Sequence, residues 1–476
     1  MTTSTIVLSA VHVLNIAAII TVIFFQRKEP STRFAWILVL SLFPVGGFVL
    51  YLFFGHDYRR KERIEYSEAA TEEIHDYIER QIEHTHGTEF ADQRFVQLAR
   101  LNLVNNRAPL SNDNNVRIFN NGKDKFDSLL SDLRSARSYI HLLYFIFRTD
   151  ELGEEILKVL TEKAEAGLDV KVVYDDLGNL AVSGKGFRKL RQAGGQVFRY
   201  SPMFTGMVSA NYRNHRKLAI IDGQIGYIGG MNIGCEYVRG RGSLTPWRDT
   251  HLRIEGSAVG GMEAAFLPDY VYAANKKDVV EDLNQFFTPV HGTGGNTVVQ
   301  LVTSEPQPGK YHIHDAYIKI ISSAKEYVYI QTPYLVTDKT LFDSLRIALA
   351  SGVDVRIMIP LHPDKVFVWY ASLDQARVLG RLGANIYLYD GFIHSKVMTA
   401  DRQMLSIGSA NLDVRSFFLS YEANAFIFDE TLAGEQARQF HIDMERCRLA
   451  DEDFFKTLPW FARPLMPVCR LFSPLL

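Results

Sequence analysis

Two histidines in this 476-residue chain are each followed by a lysine two positions later and by an aspartate five positions after the lysine. The first set is His215, Lys217 and Asp222, and the second is His394, Lys396 and Asp401. A neutral imidazole can attack a phosphodiester, whose charge repels anionic nucleophiles, and a protonated imidazole can donate to the leaving oxygen. The lysines can hold the non-bridging oxygens. These residues predict phosphodiester chemistry that needs no metal or other cofactor.

Each motif predicts a β-strand that ends in a turn. In the first motif, apolar and β-branched residues run from position 218 to 221 and stop at Asp222-Gly223. Alternate side chains of a strand point to the same face, so His215 and Lys217 share a face. Asp222 and Asp401 close their strands, where either a catalytic role or a role in the turn is possible. The turn role is favoured because Asp caps turns readily.

A turn of small residues that leads to an asparagine follows each aspartate at the same spacing. It reads Gly229-Gly-Met-Asn232 in the first copy and Gly408-Ser-Ala-Asn411 in the second. Glycine lets a backbone approach a ligand closely, and amide and hydroxyl groups can donate to phosphate oxygens. Asn232, Ser409 and Asn411 are therefore candidate phosphate-binding residues. The first copy has Gly230 in the place of Ser409, so one donor is absent there.

The segments around the two motifs repeat. A strand, helix, strand order over residues 138–174 recurs over 326–359, and residues 193–200 parallel 382–389. Two copies of one α/β unit are implied. Apolar runs at 170–174 and 355–359 predict mixed, mostly parallel sheets that are flanked by helices. If the two copies pack about a pseudo-twofold axis, both His-Lys pairs converge on one anion site.

Two apolar runs, residues 6–25 and 34–54, precede the repeat. Each is long enough to cross a bilayer core of about 30 Å as a helix, and the short polar segment between them predicts an antiparallel hairpin. Basic residues number three in that segment and four over residues 59–63, which favours a cytoplasmic catalytic part. The predicted domains are a membrane anchor (1–56), a polar linker (57–108), two repeat domains (109–290 and 291–457) and an apolar tail (458–476).

The tail combines aromatic, apolar and basic residues, which suits either a membrane interface or packing onto the catalytic part. Its prolines argue against a regular amphipathic helix. Overall charge is nearly balanced, with 52 basic and 54 acidic residues, and this argues against nucleic acid as the partner. Three scattered cysteines, Cys235, Cys447 and Cys469, argue against a disulfide framework or a thiolate metal site.

Both motifs match the His-x-Lys-x-x-x-x-Asp signature of the phospholipase D superfamily, which occurs twice in each active site, and the resemblance extends over roughly residues 110 to 450. It implies an α/β fold of two tandem phospholipase-D-like domains. It also implies that His215 becomes a phosphohistidine while His394 acts as general acid and then as base. The superfamily pairs each histidine with an acidic residue beyond the turn. Asp249 occupies that place in the first half, and Glu422 in the second.

Together with the predicted transmembrane hairpin, these motifs resemble those of bacterial cardiolipin synthases of the phospholipase D type. The resemblance implies transfer of a phosphatidyl group from one phosphatidylglycerol to another, which gives cardiolipin and glycerol. It implies a multi-pass protein of the bacterial cell (inner) membrane, with the lipid bilayer as partner. A hydrolase, or a phosphatidyltransferase with a different acceptor, would carry the same motifs. An inactive membrane scaffold would be expected to lack a motif residue, and both motifs are intact.

Overall fold

The structure is a computed structural model of the whole chain. It describes residues 3–24, 30–54, 78–79, 93–179, 184, 186–200, 212–275, 283–287, 294–307 and 309–472. Most of the predicted polar linker, the connection within the predicted hairpin and the end of the tail lie outside the described residues.

The N-terminal apolar runs form three helices, α1 (Thr3–Phe24), α2 (Pro30–Leu42) and α3 (Pro44–Phe54). The second run was expected to be one helix, but it breaks at Phe43 because Pro44 has no backbone N–H and disfavours helical geometry in the residue before it. The chain then reverses, since the rings of Trp36 and Tyr51 lie only 5.5 Å apart. Among the described helices, none is both long and apolar enough to cross a membrane, so the predicted pair of spanning helices is not supported.

The first copy of the repeat forms half of a large sheet with helices packed against it. Helix α6 shows how the sequence specifies its elements: Asp150 caps its N-terminus by accepting from the N–H of Gly153 at 3.1 Å, and apolar residues at helical spacing face the core. The elements of this half are β1 (Leu110–Phe119), α5 (Gly122–Ser135), β2 (Tyr139–Tyr144), α6 (Glu151–Glu165), β3 (Asp169–Asp175), α7 (Arg188–Gln192), β4 (Gln196–Tyr200), β5 (Arg213–Asn214), β6 (Lys217–Ile221), β7 (Ile225–Gly229), α8 (Glu236–Arg239), β8 (Trp247–Arg248), β9 (His251–Glu255) and α9 (Ala258–Ala273).

The second copy repeats the same order of elements. They are β10 (Thr297–Ser304), α10 (His312–Ser323), β11 (Tyr327–Gln331), β12 (Leu335–Val336), α11 (Lys339–Ala350), β13 (Asp354–Pro360), α12 (Val366–Arg381), β14 (Asn385–Tyr389), β15 (Phe392–Ile393), β16 (Val397–Ala400), β17 (Met404–Gly408), β18 (Leu412–Asp413), α13 (Val414–Phe418), β19 (Ser420–Phe428), α14 (Glu430–Met444) and β20 (Cys447–Leu449). Two helices follow it, α15 (Glu452–Thr457) and α16 (Ala462–Leu471).

Within the described residues, sixteen strands form one mixed sheet in which the halves meet where β1 pairs antiparallel with β10. Outward from that junction, the order β1-β9-β7-β6-β2-β3-β4 in the first half matches β10-β19-β17-β16-β11-β13-β14 in the second, which confirms the tandem repeat. The expectation of mostly parallel strands was wrong. Along this path only β2-β3-β4 and β11-β13-β14 are parallel. The apolar runs did not reveal this, because a strand that is buried on both faces has the same run of apolar residues whether it pairs parallel or antiparallel.

The segment before β1 docks on the second half as helix α4 (Gln93–Asn106), with Leu98 buried and the Asn102 amide donating to Gln300 Oε1 at 2.9 Å. Helix α16 packs against α12, although the prolines of the tail argued against a regular helix. The helix forms because Pro464 lies in its first turn, where an N–H needs no helical partner, so only Pro467 removes an internal hydrogen bond. Met466 and Cys469 on the inner face of this helix are buried.

Candidate active site

The two motif histidines follow short strands that cross from one half of the molecule to the other. Strand β5, which ends next to His215, pairs with the start of β19, and the His215 N–H donates to the Tyr421 carbonyl at 2.9 Å. Strand β15, which ends next to His394, pairs with β8, and the His394 N–H donates to the Arg248 carbonyl at 2.7 Å. Each histidine is therefore fixed by backbone from the opposite half.

The carboxylate partners of the histidines also cross between the halves. His215 Nδ1 lies 2.9 and 3.0 Å from the two carboxylate oxygens of Glu422, and His394 Nδ1 lies 2.6 Å from Asp249 Oδ2. The order of the residues along the chain suggested one pair within each half, and that pairing was wrong. Asp249 and Glu422 each follow the small-residue turn of their own half along the chain. The segment that carries each acid, however, lies next to the histidine of the other half. Both carboxylates are almost fully buried, while the histidines keep a small exposed edge.

The motif lysines are buried beside their histidines. Lys217 Nζ donates to the His215 carbonyl, and Lys396 Nζ donates to the His394 carbonyl. Burial lowers the pKa of Lys217 to about 7 and that of Lys396 to about 8. An ammonium that is already partly desolvated and directed inward is well placed to meet a phosphate oxygen.

The electrostatics indicate that the two motifs lie near each other. Burial, followed by the charges of Lys217 and Lys396, holds the pKa of His215 well below its usual 6.5. Burial and Lys396, opposed by Asp249, lower the pKa of His394 to about 4. The lysine of each motif therefore acts on the histidine of the other, as expected if both face the same site.

The motif aspartates do not lie at this site. Asp222 accepts from the backbone N–H groups of residues 137–139 at 2.7 to 2.9 Å, and Asp401 accepts from those of residues 325–327 at 2.9 to 3.0 Å. The guanidinium of Arg94 also pairs with Asp401. At about 3.3 Å per residue, each aspartate is some 20 Å along its strand from the histidine of its motif. These residues join the end of one strand to the start of its neighbour.

The residues of the small turns mainly support the acids and the loops. Ser409 Oγ donates to Glu422 Oε2 at 2.5 Å. In the first half, a Cβ on Gly230 would lie 2.1 Å from Asp249 Oδ1, so the departure from symmetry has a steric cause. The Asn232 amide spans Ile146 N (3.1 Å) and the Tyr237 hydroxyl (2.8 Å). The buried side-chain oxygen of Asn411 has no hydrogen-bond partner within the described part of the chain.

Aromatic residues that the sequence did not point to enclose the histidines. The Phe145 ring stands edge-on to His215, with 5.0 Å between ring centroids. Three rings surround His394 at 5.8 to 5.9 Å, and they belong to Tyr237, Trp247 and Phe392. They restrict access of water to the imidazole. Among the described residues, no cluster of three or more His, Cys, Asp or Glu is arranged to hold a metal ion.

Two buried arginines support the strands that carry the acids. Arg216 donates to the Glu422 carbonyl at 3.2 Å and pairs with Asp269 of α9 at 2.7 Å. On the other side, Arg248 donates to the Asp249 carbonyl at 2.8 Å and pairs with Asp443 of α14 at 3.0 Å. Arg216 lies inside a His-x-Lys motif, whereas Arg248 lies outside both motifs. Aligning the two motifs therefore does not reveal that these arginines have equivalent roles.

Comparison with known proteins gives the family. A family model described as "Cardiolipin synthase, PLD-like domain" matches residues 129–242 and 317–444, and a model described as "Phospholipase_D-nuclease N-terminal" matches residues 13–56. The chain is 41% identical to the major cardiolipin synthase of Bacillus subtilis (strain 168), with 100% of both chains covered. The chain belongs to the cardiolipin synthase family.

Other relatives agree with this assignment. The cardiolipin synthase of Listeria monocytogenes serotype 4a (strain HCC23) is 39% identical with 98% of each chain covered, and that of Staphylococcus aureus (strain Mu50 / ATCC 700699) is 39% identical with 91% of this chain and 89% of the relative covered. The crystal structure of the phosphatidylserine synthase of Haemophilus influenzae Rd KW20 matches with a TM-score of 0.62 at 15% identity, covering 80% of this chain and all of that one. At that identity, the match supports the fold.

The position of Asp401 predicts a stability role. We expect Asp401→Ala to lower the free energy of unfolding by about 2 to 4 kcal/mol, because the N–H groups at the start of β11 lose their acceptor. The turnover number per folded molecule should stay within about twofold of wild type, because the side chain is remote from the histidines. Denaturant unfolding and activity assays check this. Asp453→Ala, at an exposed carboxylate, is the control. A turnover loss above a hundredfold with unchanged stability would contradict the assignment.

Proposed function

We propose that this cardiolipin synthase family member transfers a phosphatidyl group from one phosphatidylglycerol to a hydroxyl of another through a phosphohistidine. The products are cardiolipin and free glycerol, and one phosphodiester replaces another, so no nucleotide is consumed. The observation that carries the proposal is the crossed arrangement in which His215 binds Glu422 and His394 binds Asp249 around two buried lysines.

The chemistry follows from which ring nitrogens are engaged. In both histidines Nδ1 faces a carboxylate, which holds the proton there and leaves Nε2 for the substrate. Nε2 of His215 attacks phosphorus, the bond from phosphorus to the glycerol oxygen breaks, and His394 donates its proton to that oxygen. His394 then takes a proton from the acceptor hydroxyl as the acceptor oxygen displaces His215. Lys217 and Lys396 hold the non-bridging oxygens in both steps.

The electrostatics favour His215 as the nucleophile. Its pKa is held well below 6.5, whereas that of His394 is lowered to about 4 while the charge of Asp249 opposes the fall. A bound phosphodiester adds negative charge and raises the pKa of both imidazoles, and the Asp249 carboxylate further favours protonation of His394. Burial raises the pKa of Glu422, the partner of His215, to about 7. The two halves are thus chemically unequal despite their common fold.

A substrate with a good leaving group separates the two roles. The His394→Ala variant should release p-nitrophenol from a p-nitrophenyl phosphodiester in a burst of about one equivalent. Formation of the phosphohistidine proceeds because p-nitrophenol leaves without a general acid, but transfer to the acceptor stops because it needs His394 as the base. His215→Ala should show no burst. Either variant should lose at least about a thousandfold of its activity on phosphatidylglycerol. Mapping the phosphorylated residue checks the assignment, and His441→Ala, on α14, is the control. A burst in His215→Ala would refute it.

The pH dependence should reflect the motif lysines. A lysine is charged below its pKa, so Lys217 and Lys396, with pKa values of about 7 and about 8, lose charge as the pH rises through this range. We expect the KM for phosphatidylglycerol to rise between pH 7 and pH 9. Lys396→Arg should move this rise to higher pH, because a guanidinium stays charged. Initial rates on vesicles from pH 6 to pH 10 test this, and an unchanged KM up to pH 10 would contradict it.

We place the chain at the bacterial cell membrane with its catalytic part on the cytoplasmic side. Helices α1 to α3 expose many large apolar side chains, including Phe24, Phe34 and Phe43, each more than 60% exposed. A patch of that kind marks an interaction surface. The tail extends it, since Trp460 is 86% exposed and Phe472 packs against the N-terminal helices.

The apolar surface continues toward the active site. The ring of Phe472 lies 6.3 Å from that of Phe367 at the start of α12. Lys365, the residue that precedes α12, adds to the positive field at His215. Phe472 and Phe367 therefore extend the apolar layer from the N-terminal helices to the start of α12, two residues from Lys365. Lipid substrates could reach the site along this path without crossing open water.

A double change in the tail tests the contact with lipid. Trp460→Ser with Phe461→Ser should weaken binding to phosphatidylglycerol vesicles by about a hundredfold or more, because burying each large apolar side chain contributes roughly 1.5 to 3 kcal/mol. The activity on a dispersed short-chain substrate should be unchanged. Vesicle flotation gives the first quantity. Ile442→Ser, at an exposed apolar residue of α14, is the control. Equal binding of the double variant and wild type would remove the tail from the lipid surface.

A further inference from the structure

A lysine outside both His-x-Lys motifs lies at the rim of the catalytic site. Lys365 is exposed and directly precedes α12, at the end of the loop that follows β13. Its ammonium group lies 5.2 Å from the centre of the Tyr334 ring. Among the residues that the structure describes, no carboxylate forms an ion pair with Lys365.

The pairing of β11 with β16 places Tyr334 beside the second motif. Gln331, at the end of β11, pairs antiparallel with Val397 of β16. Three residues beyond this pair lie Tyr334 on one chain segment and His394 on the other, at the same edge of the sheet. Strand β13 runs parallel to β11 and ends at that edge as well. Ligands of α/β sheets bind outside the carboxyl ends of parallel strands, so the loop that ends at Lys365 borders the site.

The charge of Lys365 acts on the proposed nucleophile. Burial, followed by the charges of Lys217 and Lys396, holds the pKa of His215 below its usual value, and Lys365 and Arg415 contribute in the same direction. Of these four cations, Lys365 is the one that is exposed. It is therefore the cation that an incoming ligand meets first.

Two carboxylates near Lys365 are engaged by other donors. Asp364 accepts from the Tyr334 hydroxyl at 2.6 Å. Asp413, on which the charge of Lys365 also acts, caps α13 by accepting from the Ser416 N–H at 2.6 Å. Because both carboxylates have their own partners, the ammonium group of Lys365 is available to an anion from outside.

The residues that follow Lys365 are apolar and exposed. Val366 is 58% exposed and Phe367 is 39% exposed. The Phe367 ring lies 6.3 Å from that of Phe472, which packs against the N-terminal helices. A cation followed directly by exposed apolar side chains matches a phospholipid, whose anionic headgroup borders its acyl chains. An inorganic anion would gain nothing from these apolar residues.

The proposed reaction brings two phosphodiesters to one site. Lys217 and Lys396 bind the phosphate that is being transferred. The acceptor presents a hydroxyl to the phosphohistidine, and its own phosphate lies only a few bonds from that hydroxyl. Two anions this close repel each other unless a further cation lies beside them. Lys365 supplies such a charge at the rim of the same site.

We propose that Lys365 binds the phosphate of the acceptor phosphatidylglycerol, whose acyl chains lie along Val366 and Phe367. The proposal rests on the proposed function, and it adds a residue that selects the acceptor. Water and small neutral alcohols carry no phosphate, so they gain nothing from Lys365. This contact is a reason why a lipid rather than water resolves the phosphohistidine.

Competition between two acceptors tests the proposal. Full-length Lys365→Gln protein and wild type are given phosphatidylglycerol vesicles with a fixed amount of ethanol, and cardiolipin and phosphatidylethanol are measured together. Both products come from one phosphohistidine, so their ratio reports the acceptor step and does not depend on how fast the intermediate forms. The ratio of cardiolipin to phosphatidylethanol should fall at least about tenfold, as expected for loss of one hydrogen bond to a charged group. Lys365→Arg should keep the ratio within about threefold of wild type, because it keeps the charge.

Lys456→Gln is the matched control. Lys456 is an exposed lysine of α15, a helix that contacts the far end of α12 through the pair of Arg381 with Glu452. This variant should keep the wild-type ratio. An unchanged ratio in Lys365→Gln would overturn the proposal, whether both products stay at the wild-type level or fall together. A joint fall would mean that Lys365 serves the donor lipid.

Vesicle binding separates the acceptor from the surrounding membrane. The product ratio is counted among turnovers, all of which occur on bound enzyme, so weaker binding alone does not lower it. If Lys365→Gln binds phosphatidylglycerol vesicles more weakly but keeps the wild-type ratio, Lys365 contacts bulk headgroups and the proposal is overturned. Formation of phosphatidylethanol without cardiolipin by the wild type would instead refute the proposed function, so the two failures are distinguishable.

Discussion

The crossed pairing of histidines with carboxylates is the interaction on which the site depends. His215 is oriented by Glu422, and His394 by Asp249, so neither half contains a complete His-carboxylate unit. All four groups are buried or nearly so, and a buried ionisable group without its partner is strongly destabilising. The site therefore forms only when the halves are docked in this register.

Several interactions fix the two halves in this relative position. Strands β1 and β10 join the halves into one sheet, so the junction is a backbone hydrogen-bond ladder rather than a side-chain interface. Arg216 and Arg248 tie the carbonyls of the acid residues to helices α9 and α14. The motif aspartates secure the far ends of the catalytic strands. Within each motif, the histidine and the lysine therefore face the site, whereas the aspartate fixes the end of the strand.

Symmetry gives the two histidines the same kinds of neighbours, and departures from symmetry make their surroundings unequal. Both histidines face lysines and a carboxylate, but Glu422 receives an extra hydrogen bond from Ser409 where the other half has Gly230. The aromatic surroundings differ as well: three rings, those of Tyr237, Trp247 and Phe392, lie near His394, whereas the Phe145 ring lies near His215. In the proposed mechanism, these unequal surroundings are the basis for assigning attack to one histidine and proton transfer to the other.

The sequence alone determined the repeat and both His-Lys pairs, because these depend on spacing between nearby residues, and the resemblance to the phospholipase D superfamily added the two acids. It did not determine which acid serves which histidine, since Glu422 and His215 are 207 positions apart and meet only through the docking of two sheets. Nor did apolar runs reveal that the chain reverses at Pro44, or that the ring of Tyr237 lies next to His394. Those relations depend on how elements pack, and packing is set by contacts between residues that no spacing rule connects.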